Sequence, residues 1–150
     1  MSSPLRLWLI GLMVSLAVVL VACGGSGSGS ATVLEIGSDG ETLAFDKPTL
    51  TAKAGELITL RLKNRSTSLL HNWVLVKGGD DVATTVNAAG AVAGAEKGYL
   101  PESPAILARV TQVKPGQTGE TTFTVPAGTY TYLCTTIGHY PLMKGTLTVK

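Results

Sequence analysis

Two cysteines, two histidines and three methionines are all that the 150 residues hold of the residue types that bind soft metals. That scarcity excludes several classes at once. One cysteine, Cys23, closes an apolar segment near the start, so Cys134 is left without an obvious internal partner and the chain is no disulfide scaffold. Acidic and basic residues nearly cancel, 10 against 12, and the basic ones are scattered. A nucleic-acid binder would show a basic patch or stripe, and none is written here. No internal repeat marks a solenoid or propeller.

The chain does contain a leader-like start. Arg6 is followed by an uncharged, Leu- and Val-rich stretch at residues 7–21, the charged and apolar regions of a secretory signal. A spanning helix needs about 20 apolar residues with a lower limit near 17, so an uncleaved N-terminal membrane anchor is the alternative. Leu20-Val21-Ala22-Cys23 resembles the bacterial lipobox, in which the signal is cut before the Cys and that Cys23 receives lipid. Residues 24–30 are only Gly and Ser, a flexible linker with a reach of roughly 15 Å. The expected organisation is therefore residues 1–22 as signal peptide or anchor, 23–30 as lipidation site and linker, and 31–150 as one domain with its own core. Either form of attachment exports the protein, as a periplasmic lipoprotein or anchored domain, to the outer face of the cell membrane.

The domain reads as short strands. Ile58, Leu60 and Leu62 alternate with Thr59, Arg61 and Lys63, the mark of a half-buried strand. Residues 120–125 alternate likewise, with Phe123 and Val125 inward. Tyr130, Tyr132 and Cys134 share one face, and Leu147 and Val149 alternate with Thr146, Thr148 and Lys150. Residues 31–37, 48–54, 71–76 and 106–113 supply the remaining strands, with turns at Lys114-Pro115-Gly116 and Pro126-Ala127-Gly128. Residues 80–96 are Ala-rich and predict one or two helical turns in an excursion near 80–98. A long helix is not expected there, because Gly90 would cost about 1 kcal/mol against Ala in its interior. Seven or eight strands at this spacing predict an all-β Greek-key sandwich or barrel.

The chemistry gathers where two strands join. Cys134, His139 and Met143 fall within ten residues, in a loop that Gly138 lets turn tightly. A thiolate, an imidazole and a thioether are soft donors that suit copper better than magnesium, calcium or hydrolytic zinc. Electron-transfer copper needs a second imidazole to complete a His₂Cys plane with a weak axial Met. His71 is the other histidine, and it shares strand parity with Trp73 and Leu75, which points it into the sandwich.

Three segments carry a resemblance: His71-Asn72-Trp73-Val74-Leu75, Cys134-Thr135-Thr136-Ile137-Gly138-His139, and Leu142-Met143-Lys144-Gly145-Thr146-Leu147. Together they resemble the small blue copper proteins of the azurin and auracyanin family, auracyanin more closely, over residues 31–150. The steps from 134 to 139 and from 139 to 143 match the azurin loop rather than that of plastocyanin. The resemblance implies a cupredoxin-like fold, His71 and His139 as equatorial ligands, Cys134 as the thiolate and Met143 as the axial ligand. It also implies that Asn72 ties its strand to Thr135 in the ligand loop, behind the metal. Tyr130 fits the tyrosine corner of Greek-key folds. Thr136 and Ile137 stand where azurins carry an aromatic residue and Pro, Leu70 stands where a Gly carbonyl approaches copper, and the azurin disulfide has no cysteines here.

The function this implies is one-electron transport by a membrane-tethered monomer with one copper ion, in a photosynthetic or respiratory chain and without enzymatic activity. Its donor would be a membrane quinol-oxidising complex and its acceptor a reaction-centre or oxidase cytochrome. Leu70, Tyr140, Pro141 and Leu142 would form an apolar docking patch around His139. The alternative is a copper-binding or delivery lipoprotein without an electron-transfer role, although delivery sites are usually rich in Met or His. A cysteine-nucleophile enzyme would leave Met143 unexplained and lacks a third group to orient its base. A purely structural sandwich with an inert Cys134 leaves the whole grouping unexplained.

Overall fold

A computed structural model describes residues 31–150. The signal or anchor, Cys23 and the linker expected above lie outside those residues. The alternating segments form eight strands: β1 Thr32–Gly37, β2 Thr49–Ala52, β3 Ile58–Lys63, β4 His71–Val76, β5 Ile106–Val113, β6 Thr118–Phe123, β7 Gly128–Leu133 and β8 Lys144–Val149. They make two sheets, one ordered β1-β3-β6 and the other β2-β8-β7-β4-β5. The first pairs β1 with β3 in parallel and β3 with β6 antiparallel. In the second, β2 runs parallel to β8 while the other neighbours are antiparallel.

These registers give the sandwich two unlike ends. β1 and β3 start at Thr32 and Ile58 on one end and finish at Gly37 and Lys63 on the other. β4 starts at that second end with His71, β7 finishes there next to Cys134, and β8 leaves from it at Lys144.

The main core lies between the sheets, as alternation predicts: Ile58, Leu60 and Leu62 from β3 meet Trp73 and Leu75 from β4, Tyr132 from β7 and Leu147 from β8. The Trp73 ring stacks on Phe123 and on Tyr132, each with centroids 5.9 Å apart. Tyr130 donates its hydroxyl to the Pro126 carbonyl at 2.9 Å, so the tyrosine corner is formed.

β4 is buried at all six positions. Its other face, Val74 and Val76, joins Leu133, Ala83, Val86, Leu100 and Tyr140 in a second, smaller core. The element that covers it is α1, Asp80–Ala93, followed by a single 3₁₀ turn at Ala95–Lys97. The excursion is helical as expected but longer, with 14 residues running through Gly90 and ending at Gly94, whose φ is 76°. Asp80 and Asp81 suit the first turn of the helix.

Gly90 is there because the helix sits too close to its neighbours for a side chain. A Cβ at this position would stand 2.7 Å from the Tyr99 carbonyl oxygen and 3.1 Å from the Thr135 Cβ. Gly90→Ala therefore sets about 1 kcal/mol of better helix propensity against overpacking of about 1–3 kcal/mol, and the backbone contact decides for the latter. Thermal melting of the metal-free protein is expected to show a lower midpoint for Gly90→Ala; a higher midpoint would refute the close contact.

Candidate metal centre

His71 begins β4, and Cys134 follows the last residue of β7. Between β7 and β8 the loop is closed by its own backbone: Cys134 N–H donates to Met143 O at 3.0 Å, Met143 N–H to His139 O at 2.9 Å, and His139 N–H to Thr136 O at 3.0 Å. Gly138 takes a φ of 80° at the sharpest point, the left-handed conformation that this turn needs. Met143 is buried in the same core as Cys134.

The loop is also clamped from the side. Asn72 Nδ2 donates to Thr135 Oγ1 at 2.9 Å and to Gly98 O at 2.9 Å, while Thr135 N–H donates back to Asn72 Oδ1 at 2.8 Å. Thr135 Oγ1 donates in turn to Tyr99 O at 2.6 Å. Tyr99 holds a left-handed φ of 57°, uncommon for an aromatic residue. The strand bearing His71, the loop bearing Cys134 and the segment after α1 are thereby locked to one another.

One donor atom from each of His71, Cys134 and His139 lies within 4.8 Å of the others, and all three residues are buried. Cys134 Sγ is 3.5 Å from His139 Nδ1, and the two imidazole centroids are 5.0 Å apart. The Asn72 backbone N–H approaches the same sulfur at 3.5 Å. Both His71 ring nitrogens are buried and lack a hydrogen-bond partner, an arrangement that costs free energy unless something else takes up the lone pair.

The electrostatics of the two imidazoles agrees with a ligand role. Burial, with a smaller push from His139, pulls the His71 pKa down to about 4 against the opposing pull of Glu41. Burial likewise lowers that of His139. Both rings are thus neutral near pH 7, the form that donates a lone pair. Burial pushes the Cys134 thiol up, opposed by the Asn72 and Thr136 backbone N–H groups; the Thr136 hydroxyl makes no hydrogen bond. A nucleophilic cysteine needs an exposed sulfur, and that of Cys134 is buried. Two neutral imidazoles and a buried thiol, with no competing carboxylate among them, are a soft set of the kind that copper takes.

The family model for copper binding proteins of the plastocyanin/azurin family matches residues 32–150. The chain belongs to that family. Auracyanin-A of Chloroflexus aurantiacus is 46% identical over an alignment spanning the whole of both chains. The solved structure of auracyanin A, described as a "blue" copper protein from a green thermophilic photosynthetic bacterium, is 49% identical; the match covers 80% of this chain and 99% of that one, with a TM-score of 0.77. Dithionite-reduced auracyanin from the photosynthetic bacterium Roseiflexus castenholzii is 45% identical, with 79% and 97% covered and a TM-score of 0.76.

The protein is a blue copper electron-transfer protein of the auracyanin/azurin type, a family of cupredoxin electron carriers that are generally not enzymes. His71, Cys134 and His139 are placed to hold the copper, whose Cu(I)/Cu(II) couple supplies the electron transfer when it is bound. The chain's own work is to present these donors dry and fixed. Asn72 and Thr135 tie the strand of His71 to the loop of Cys134 through their mutual hydrogen bonds.

One expectation about the surroundings is corrected. Tyr140 is not part of an exposed patch: it is 8% exposed, packs beneath α1 and places its hydroxyl 3.0 Å from both Thr84 Oγ1 and Asp80 Oδ1. Leu70, Ile137 and Leu142 do reach the surface beside His139, at 39%, 57% and 69% exposure, and Pro141 is exposed with them as expected. A shallow depression lined by Tyr99, Thr136 and His139 lies between Leu70 and Ile137.

Proposed function

We propose that this copper protein is a membrane-tethered shuttle, held on the outer face of the cell membrane through lipid on Cys23. In this reading it accepts electrons singly from a quinol-oxidising membrane complex and gives them to a reaction-centre or oxidase cytochrome. Met143, buried with Cys134 in the core, would complete the donor set with its thioether sulfur. The observation that carries the electron-transfer reading is the preassembled donor set of His71, Cys134 and His139, locked through Asn72 and Thr135. Donors already fixed in place change little between oxidation states, and that favours fast exchange.

The exposed Leu70, Ile137 and Leu142 favour a small, transient contact with redox partners. The photosynthetic setting is supported by the two auracyanins, which come from photosynthetic bacteria. No helix among the described residues is long and apolar enough to cross a membrane, which leaves attachment to residues before 31.

Fractionation tests the reading. Full-length protein is expected in the membrane fraction, its blue colour bleaching when a quinol is supplied. Cys23→Ser is expected to lose lipid by mass spectrometry and to leave the washed membranes. Full membrane retention of unlipidated Cys23→Ser would favour an uncleaved N-terminal helix, and a colour indifferent to quinol would remove the proposed donor.

A further inference from the structure

An acidic side chain far away in sequence organises the loop that leads into His71. Glu41 lies in the connection between β1 and β2, and its carboxylate accepts from Ser66 Oγ and Thr67 Oγ1 at 3.0 Å, from Ser68 Oγ at 2.8 Å and from the Thr67 backbone N–H. Ser66 Oγ passes this order on by accepting the backbone N–H groups of Ser68 at 3.0 Å and Leu69 at 2.7 Å. From the inner side, Asn64 accepts the Ser66 N–H at 2.9 Å and donates to Leu69 O at 2.7 Å and Val113 O at 2.8 Å. Val113 is the β5 residue opposite His71. The loop of residues 64–70 is therefore held between Glu41 outside and Asn64 inside, and it delivers Leu70 and His71 to their places.

The Glu41 charge also pulls the His71 pKa upward, against the larger effect of burial. Its own pKa is drawn down to about 2, first by the Thr67 N–H and then by the Ser68 hydroxyl, so the charge is present at any pH the protein meets. A fixed negative charge near a redox centre favours its more positive state.

We propose that Glu41 is a positioning residue of the copper centre: it fixes the loop that sets His71, and its charge lowers the reduction potential. The inference rests on the copper reading, and the two fail differently. A wild-type protein with no blue band would fail the first, whereas a normal band with an unmoved potential fails the second.

The test is voltammetry of the copper-loaded full chain. Glu41→Gln is expected to raise the potential while the blue band keeps its wavelength. Glu120→Gln removes an equal charge on β6, where its partner is Arg61, and is expected to leave the potential unchanged. In the metal-free protein, amide hydrogen exchange at Thr67 and Leu69 is expected to quicken at least ~10-fold in Glu41→Gln, as protecting hydrogen bonds open locally. A Glu41→Gln potential equal to that of Glu120→Gln overturns the proposal, as does unchanged exchange. Should Glu41→Gln fail to fold, Thr67→Lys keeps the carboxylate and sets a positive charge beside it. It is expected to shift the potential the same way, and no shift there overturns the proposal.

Discussion

Cys134→Ser, loaded with Cu(II), is expected to be colourless. The colour of a blue copper protein comes from charge transfer out of a thiolate, and an alcohol oxygen is neither soft nor ionised at neutral pH. Geometry sharpens the expectation. Cys134 Sγ lies 3.5 Å from Nδ1 of His139 and also faces the Asn72 N–H. A serine hydroxyl there keeps the hydrogen-bonding surroundings and removes only the sulfur. Affinity should fall by more than the ~10–100-fold that follows loss of a supporting bond behind a ligand. Visible absorption during Cu(II) titration checks both. An intense visible band surviving in Cys134→Ser would mean that the sulfur is not a ligand.

Asn72→Ala is expected to be the most damaging change that touches no metal ligand. Three hydrogen bonds vanish together, and Thr135 N–H and Gly98 O lose a partner. With Asn72 and Thr135 both buried, the expected loss is about 2–4 kcal/mol. Denaturant unfolding of the metal-free protein should show it as a lower midpoint with little change of slope. Copper affinity should fall ~10–100-fold as well, since the clamp holds the strand of His71 against the loop of Cys134. Wild-type stability in Asn72→Ala would show that the clamp contributes nothing to the fold.

How far the sequence reveals this depends on the range of each interaction. Ile58, Leu60 and Leu62 disclose β3 because alternation is local, and the parity of His71 with Trp73 already aims it inward. The loop from Cys134 to Met143 is legible because its donors lie close together in sequence. Tyr140 misleads for the complementary reason: nothing near it says that α1 will cross above it, with partners 56 and 60 positions away in the chain. The both-faced burial of β4 is written in Val74 and Val76, yet alternation alone assigns them to solvent. Gly90 reads as a helix breaker until its close approach to Tyr99 and Thr135 is seen. Glu41 carries no sequence signal at all, since its partners are 25–27 positions downstream.

The two unlike ends of the sandwich have a practical consequence. Thr32 opens β1 beside Ile58, whereas His71, Cys134 and Lys144 gather where β1 and β3 finish. A six-residue strand separates these ends by about 20 Å. Whatever is coupled ahead of Thr32, be it a bead, a gold electrode or another protein, grips the sandwich by the far pole. The His139 face is then left looking into solution, free to meet a diffusing partner, without any redesign of the surface.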